Sequence, residues 1–532
     1  GVVGRTGATR ISVVVDHGYA AFVEDDAIQL DLEPDEATFD RGEAALRRFS
    51  TDSKLATLRE LLFGDAEPSF GPRPELQVKD ERLNQSQREA VSLALAAEQV
   101  ALIHGPPGTG KTRTLVEVVR QHLALGKSVL VTAASNTAVD HLTRQLIALG
   151  VKPLRLGHPT RVAEDLRERT LETLMQATEE YRLARQWQHE ARALHERHHK
   201  QKARSARTLP RSDWRIRANQ LNADARRSLK EARAKVLRRT RVVCTTAAGT
   251  DSKLIGDTLY DVVILDEATQ APDPIALAAL CRGKRAVLAG DPCQLPPTVV
   301  DGEAARAGLA STLFERASRR WSAGATHMLT VQYRMHALLM SFPSASMYHG
   351  RLEADPNVAA RQLDDLPGVA PDPARRAPWT LVDTSGTGWE EGLEPESRST
   401  FNRELAERTA GEVRRLLDRG VSAADIAAIT PYGAQVRLLR GLLRDALAQG
   451  LEIGTVDGFQ GREKEAVVVD LVRSNAEGAL GFLNDIRRTN VALTRAKRCL
   501  VVVCDGSTLG QHPYYRALVE AAEAAGVWES CF

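Results

Sequence analysis

Nine residues, HGPPGTGKT at 104–112, carry the most direct chemistry in this chain. Gly105, Gly108 and Gly110, interleaved with Pro106, Pro107 and Thr109, form a loop whose backbone N–H groups can turn inward around a polyphosphate. Lys111 supplies a cation able to reach the β- and γ-phosphates, and Thr112 a hydroxyl suited to Mg2+. The spacing is GxxxxGKT, the Walker A pattern, which requires a strand before it and a helix behind it. The sequence meets both conditions: VALI at 100–103 reads as a short buried strand and LVEVVRQHL at 115–123 as helix. ATP with Mg2+ is the bound group these residues imply.

Further groups fit the same chemistry. The apolar run of DVVILDEATQ, 261–270, ends in Asp266 and Glu267. At the end of a strand beside the loop, the first carboxylate can hold Mg2+ and the second can orient and deprotonate a water. Gln294, in RAVLAGDPCQLPP, is placed to sense the γ-phosphate. Gln87, in LNQSQREAVSLAL, offers an amide that matches the N6/N7 edge of adenine, and Ser86 with Glu89 reads as the capping box of that helix. Ser135 and Asn136 fall where a strand gives way to a helix, so they can bind a nucleic acid phosphate; helix capping accounts for them equally well.

The elements that must position these groups are legible as alternating βα units. At 532 residues and 43% hydrophobic, the chain has material for about three or four cored domains. Residues 10–31 alternate apolar and polar like two or three strands, and 40–64 look helical before a Pro-rich linker at 67–74. From about 161 to 240 the pattern is long, charged and helical, broken near Leu209 and Pro210, as in a hairpin inserted into the first α/β domain. Residues 180–241 hold nineteen Lys/Arg against six Asp/Glu, net +13 in a chain that totals +2. Such a block reads as a phosphate-backbone footprint. Within it, HERHH at 195–199 satisfies HExxH literally, but its charged setting and the lack of a further ligand argue against zinc. Six cysteines without ligand spacing read as reduced thiols, and no apolar run spans a membrane, so a cytoplasmic protein is expected. Gly1 in place of Met suggests a processed chain or a piece of a longer one.

LNQSQ, GPPGTGKT, ASNTAVD, LDEATQ, GDPCQLPP, VQYRMH, GTVDGFQGREKE and NVALTRAK follow one another in the order of superfamily 1 helicases. Residues 83–505 resemble the Upf1-like branch, which includes the nonsense-mediated decay helicase and the immunoglobulin mu-binding helicase. The resemblance implies an α/β fold of two tandem RecA-like P-loop domains, 81–325 and 326–510. A partial accessory β-barrel and stalk helices occupy 1–80, the basic helical insertion 160–240 and a C-terminal helix 511–532. It also implies 5′ to 3′ movement along single-stranded DNA or RNA. Tyr333 offers a ring to stack on adenine and Arg334 a guanidinium to neutralise charge on the γ-phosphoryl group. Arg495 is a second candidate finger, and Glu463 is implied to contact the nucleotide sugar. Thr430, Tyr432 and Gln435 resemble the family's strand-contacting loop, with packing the alternative for Tyr432, and Thr455 is implied to couple the strand to the nucleotide. No zinc module ahead of the motifs and no further nucleic-acid module behind them is legible, so the resemblance reaches the motor rather than a cellular role.

Three readings follow: an ATP-dependent helicase or translocase, expected to be a monomer; a nucleic-acid-stimulated ATPase that remodels protein–nucleic acid complexes without unwinding; and a phosphotransferase indifferent to nucleic acid.

Overall fold

A computed structural model describes residues 2–6, 11–14, 36–74, 80–204, 213–251, 254–256 and 258–532; for 2–6, 11–14, 159, 198–204, 213 and 251 it describes the backbone alone. The chain divides into two compact units. The first comprises Gly1–Arg59, Leu125–Val263 and Pro274–Lys284, and the second Glu60–Ala124, Ile264–Asp273 and Arg285–Phe532.

In the first unit the strands Val129–Ala133, Val242–Thr246 and Leu154–Arg155 lie parallel, with Val129 opposite Val242 and Leu154 opposite Val243. All but Thr246 are buried, Arg155 and the threonines Thr132 and Thr245 included. The helix Asn136–Ala148 follows the first of them. The predicted hairpin is present as Glu179–Arg204 and Asp213–Arg239. Its seam is made of small residues, Ala184, Ala191, Ala218, Ala225 and Ala232, all almost fully buried, so the two helices approach closely. Lys235 pairs with Glu180 at 2.5 Å, fixing the start of one helix against the end of the other. The expected break at Leu209 and Pro210 lies outside the described residues. Of the expected N-terminal strands, Val2–Thr6 pairs antiparallel with Ile11–Val14; the rest of 10–31 is likewise outside. Residues 40–64 are helical as expected, in Ala37–Thr51 and Ala56–Phe63.

The second unit holds Val100–His104, paired parallel on one side with residues 286–290 and on the other with Thr326–Met328. It also holds a six-stranded parallel sheet in the order Glu452–Thr455, Ile426–Thr430, Lys464–Asp470, Ala496–Cys504, Trp379–Asp383, Trp528–Ser530. Successive residues of its central strands enter opposite cores. Ala427, Ile429, Val467 and Val469 pack with the helices Ala337–Met347, Ile486–Leu493 and Pro513–Ala524. Ile426, Ala428, Val468 and Val501 pack with Arg403–Asp418 and Gly433–Leu442. A sheet covered on both faces by helices puts its loops at the strand ends; the glycine loop leaves the end of Val100–His104, and Asp266, Thr430 and Thr455 are the last residues of their strands. Among the described residues no helix is long and apolar enough to cross a membrane.

Candidate nucleotide site

The glycine loop leaves Val100–His104 with Gly105 N–H donating to the Gly290 carbonyl at 3.0 Å, which docks it on the neighbouring strand. Gly108 and Gly110 take φ of +73° and +75°. Neither tolerates a side chain for a second reason: a Cβ on Gly108 would sit 2.7 Å from Arg334 Cβ, and one on Gly110 2.5 Å from Gln87 Nε2. Pro106, Pro107 and Thr109 are buried, and the Thr109 hydroxyl donates to the Pro106 carbonyl at 2.7 Å. Lys111 and Thr112 begin the helix Lys111–Ala124. Its first turn is fixed by Asp80, which accepts two hydrogen bonds from Arg113 at 2.7 and 2.9 Å.

Lys111 Nζ lies 3.1 Å from Asp266 and 2.7 Å from Glu267. Burial opposes its charge, but the two carboxylates more than offset this and hold the amine above the ordinary lysine range. Glu267 itself has φ +52°, a left-handed conformation for a residue with a side chain, and Gln270 donates to its other oxygen. Strain of this kind costs on the order of 1–3 kcal/mol and persists only where its surroundings enforce it.

Gln294 stands on Asp291, a fully buried carboxylate that the sequence reading passed over. Asp291 accepts from Gln294 Nε2 at 2.7 Å, Tyr348 Oη at 2.8 Å and Cys293 N–H at 3.0 Å, and pairs with His104 at 3.0 Å. His104, Asp291 and Cys293 bring three ligand-type atoms within 4.8 Å of one another, but those contacts already occupy the Asp291 oxygens. Arg495 Nη2 reaches Gln294 Oε1 at 3.4 Å. Burial, with the nearby Arg334 charge, pushes the Arg495 guanidinium down to about 9.

Arg334 and Tyr333 sit against the loop, with Tyr333 N–H donating to the Gly108 carbonyl at 2.8 Å. The Arg334 guanidinium donates to Glu463 at 2.6 Å and to the Thr494 carbonyl at 3.0 Å. Buried Gln332 accepts from the N–H groups of both Arg334 and Met335 and so shapes that turn. Lys111, Asp266, Glu267, Gln294, Arg334, Tyr333, Glu463 and Arg495 therefore all belong to the second unit.

Two family profiles described as AAA domain match residues 82–301 and 309–507. An uncharacterized ATP-dependent helicase of Methanocaldococcus jannaschii is 32% identical over 97% of this chain and 82% of its own. The chain belongs to the Upf1-like branch of the superfamily 1 helicases. DNA-binding protein SMUBP-2 of mouse is 37% identical over 97% of this Upf1-like chain, and the ATP-dependent helicase upf1 of Schizosaccharomyces pombe 34% over 89%. The Upf1-like chain spans about half the length of these two, 53% and 51%.

Other expectations for a Upf1-like chain meet a different geometry. The capping box of the helix Gln85–Ala96 is formed by Asn84 and Gln87, two residues earlier than Ser86 and Glu89. Asn84 won because its side chain accepts from Gln87 N–H while Gln87 Oε1 accepts from Asn84 N–H. With Gln87 Nε2 also donating to the Thr109 carbonyl, the amide meant for adenine is committed to the loop's own backbone. Asn84 Nδ2 instead donates to the Tyr333 hydroxyl at 2.7 Å. Glu463 is engaged with Arg334 and Lys497, which overcome burial and lower its carboxyl.

Among the strand-contact candidates, Ser135 and Asn136 lie in the first unit. Ser135 is exposed and caps its helix, and Asn136 accepts from the buried Arg155 at 2.8 Å. Thr430 and Thr455 are opposite one another in register, and the buried Thr430 hydroxyl has no hydrogen-bond partner among the described residues. Tyr432 and Gln435 are interior: Gln435 is bound to Asn402 and Asp470, and the Tyr432 ring stacks on Phe482. In HERHH, His195 meets Trp214 edge-on at 5.0 Å, and the His199 side chain lies outside the described residues. The six cysteines are free thiols.

Proposed function

We propose that this chain is the motor of an ATP-dependent helicase or translocase that moves 5′ to 3′ on single-stranded DNA or RNA. The reading rests on one observation: Arg495 is buried with its guanidinium against Gln294, while Lys111, Asp266 and Glu267 form one ion-paired group and Arg334 packs against the glycine loop. That is the arrangement of cations a transferring γ-phosphoryl group requires. In it the N–H groups of Gly108 and Gly110, with those that open the helix at Lys111 and Thr112, and the Lys111 amine hold the triphosphate. Glu267 takes a proton from the attacking water, Gln294 orients it, and Arg334 and Arg495 stabilise the charge that grows on the phosphoryl oxygens. A hydroxyl and a carboxylate are hard oxygen donors, so Thr112 and Asp266 fit Mg2+, which when bound offsets phosphate charge. Glu463 works by aiming Arg334.

The two RecA-like domains are taken as residues 81–325 and 326–510, to which Thr326–Met328, paired with Val100–His104, and Trp528–Ser530, paired with Trp379–Asp383, each add a strand beyond these bounds. The chain's net +13 hairpin segment, with Ser135, Asn136, Thr430 and Thr455, supplies the nucleic-acid contacts. M. jannaschii and S. pombe relatives named ATP-dependent helicases support the assignment. The test is ATPase rate titrated with single-stranded DNA and RNA of matched sequence, beside strand separation of duplexes with 5′ or 3′ overhangs. Stimulation by either strand and unwinding from a 5′ overhang are expected. Stimulation without separation supports the remodelling ATPase, and an ATPase indifferent to both nucleic acids overturns the proposal.

A further inference from the structure

In the second unit an exposed aromatic is built into a rigid stack. Phe482 leaves 58% of its surface exposed although it follows the buried Leu480 and precedes the buried Leu483. Tyr432 lies beneath it, with ring centroids 5.4 Å apart and planes at 25°. The Tyr432 hydroxyl accepts from the Phe482 N–H at 3.2 Å and from Arg473 Nη1 at 3.2 Å. The Arg473 guanidinium sits 6.0 Å from the Tyr432 centroid and is tied to Glu391 at 2.8 Å. Arg488 lies 5.4 Å from the Phe482 centroid, and its nearest carboxylates, Asp485 and Asp457, stand off at 3.8 and 4.0 Å. An aromatic ring held this way has little motion left to lose on binding, and a weakly paired guanidinium over it suits a ligand with both a π-face and a negative charge.

We propose that Phe482 is a stacking platform for an unpaired nucleobase, with Arg488 taking the adjoining phosphate. This rests on the proposed nucleic-acid motor and adds a contact that the Thr430, Tyr432 and Gln435 reading did not contain: Tyr432 serves from below, as the support of the ring that touches the base. Stacking on a π-face is tolerant of sequence, as movement along a strand needs.

The probe is a fluorescent oligothymidylate, with and without a single abasic site moved along it, measured by anisotropy against the full chain and against Phe482→Ala and Phe482→Trp. Base stacking predicts a Kd about five- to hundred-fold higher for Phe482→Ala, near-wild-type binding for Phe482→Trp, and one abasic position that weakens the wild type but adds no further loss to Phe482→Ala. Should Phe482→Ala not fold, the abasic scan of the wild type still decides: the same Kd at every position overturns the platform. Equal affinity of wild type and Phe482→Ala for the intact strand overturns it too. A wild type that binds no single strand overturns the motor reading itself.

Discussion

Replacing Lys111 with methionine removes the only side-chain cation paired with Asp266 and Glu267 in the described contacts, and the consequence for stability follows from the geometry. The amine is 11% exposed, and the carboxylates 5% and 26%. At 2.7 and 3.1 Å, with an effective dielectric of about 20, the two attractions amount to roughly 6 and 5 kcal/mol before desolvation. Much of that repays the cost of burying three charges. Removing one member of a buried pair costs about 3–5 kcal/mol, because the partners stay behind unpaired. We expect Lys111→Met to lose about 3 kcal/mol, or about 6 °C in Tm at roughly 2 °C per kcal/mol, measured by calorimetry without nucleotide. Adding Glu267→Gln to Lys111→Met removes the like-charge repulsion and is expected to restore at least half the loss. A single variant that melts with the wild type, or a double variant no better than the single, would refute the view that these three groups form one charge-balanced cluster.

Other parts of the chain respond differently. Arg155 is fully buried and donates to Asp140 at 2.6 Å and Asn136 at 2.8 Å; Arg155→Met should cost about 3–5 kcal/mol, seen as faster hydrogen exchange in the helix Asn136–Ala148. Asp470 is pushed up to about 6 by burial, although Gln435, Val472 N–H and Thr409 donate to it. A raised carboxyl means that the folded chain binds the extra proton, so this group's contribution to stability falls as pH rises from about 4 to about 6. Urea midpoints should decline more steeply over that window in the wild type than in Asp470→Asn; parallel curves would contradict the assignment. Glu463→Ala frees Arg334 and should lower kcat about 10- to 100-fold with little change in KM for ATP, whereas a rise in KM alone would restore the sugar-contact role.

The phosphate loop was readable because each of its constraints is local. Glycines, Lys111 and the flanking strand and helix lie between Val100 and Ala124, and the apolar runs that become two-faced parallel strands are equally local. What stayed hidden depends on partners distant in sequence. Asp291 is one acid in GDPCQLPP until His104 and Tyr348 converge on it from opposite directions in the chain. Gln87 looks like an adenine reader until the fold shows its amide accepting from Asn84 N–H in the capping box and donating to the Thr109 carbonyl. Tyr432 and Gln435 carry the right side chains for strand contact, yet burial depends on what packs over them, and Phe482 and Asp470 lie 50 and 35 residues away. The resemblance to Upf1-like helicases supplied the order of motifs; it did not supply which of their side chains face inward.

On the proposed function, ATP bound at Lys111 is cleaved with Arg495 stabilising the transferring phosphoryl group. The most direct measurement is single-turnover hydrolysis by Arg495→Ala, saturated with single-stranded nucleic acid, beside equilibrium binding of a fluorescent ATP analogue. The analogue is expected to bind within a few-fold of wild type while the hydrolysis rate falls by about 10³-fold or more. Hydrolysis at the wild-type rate by a folded Arg495→Ala would contradict it.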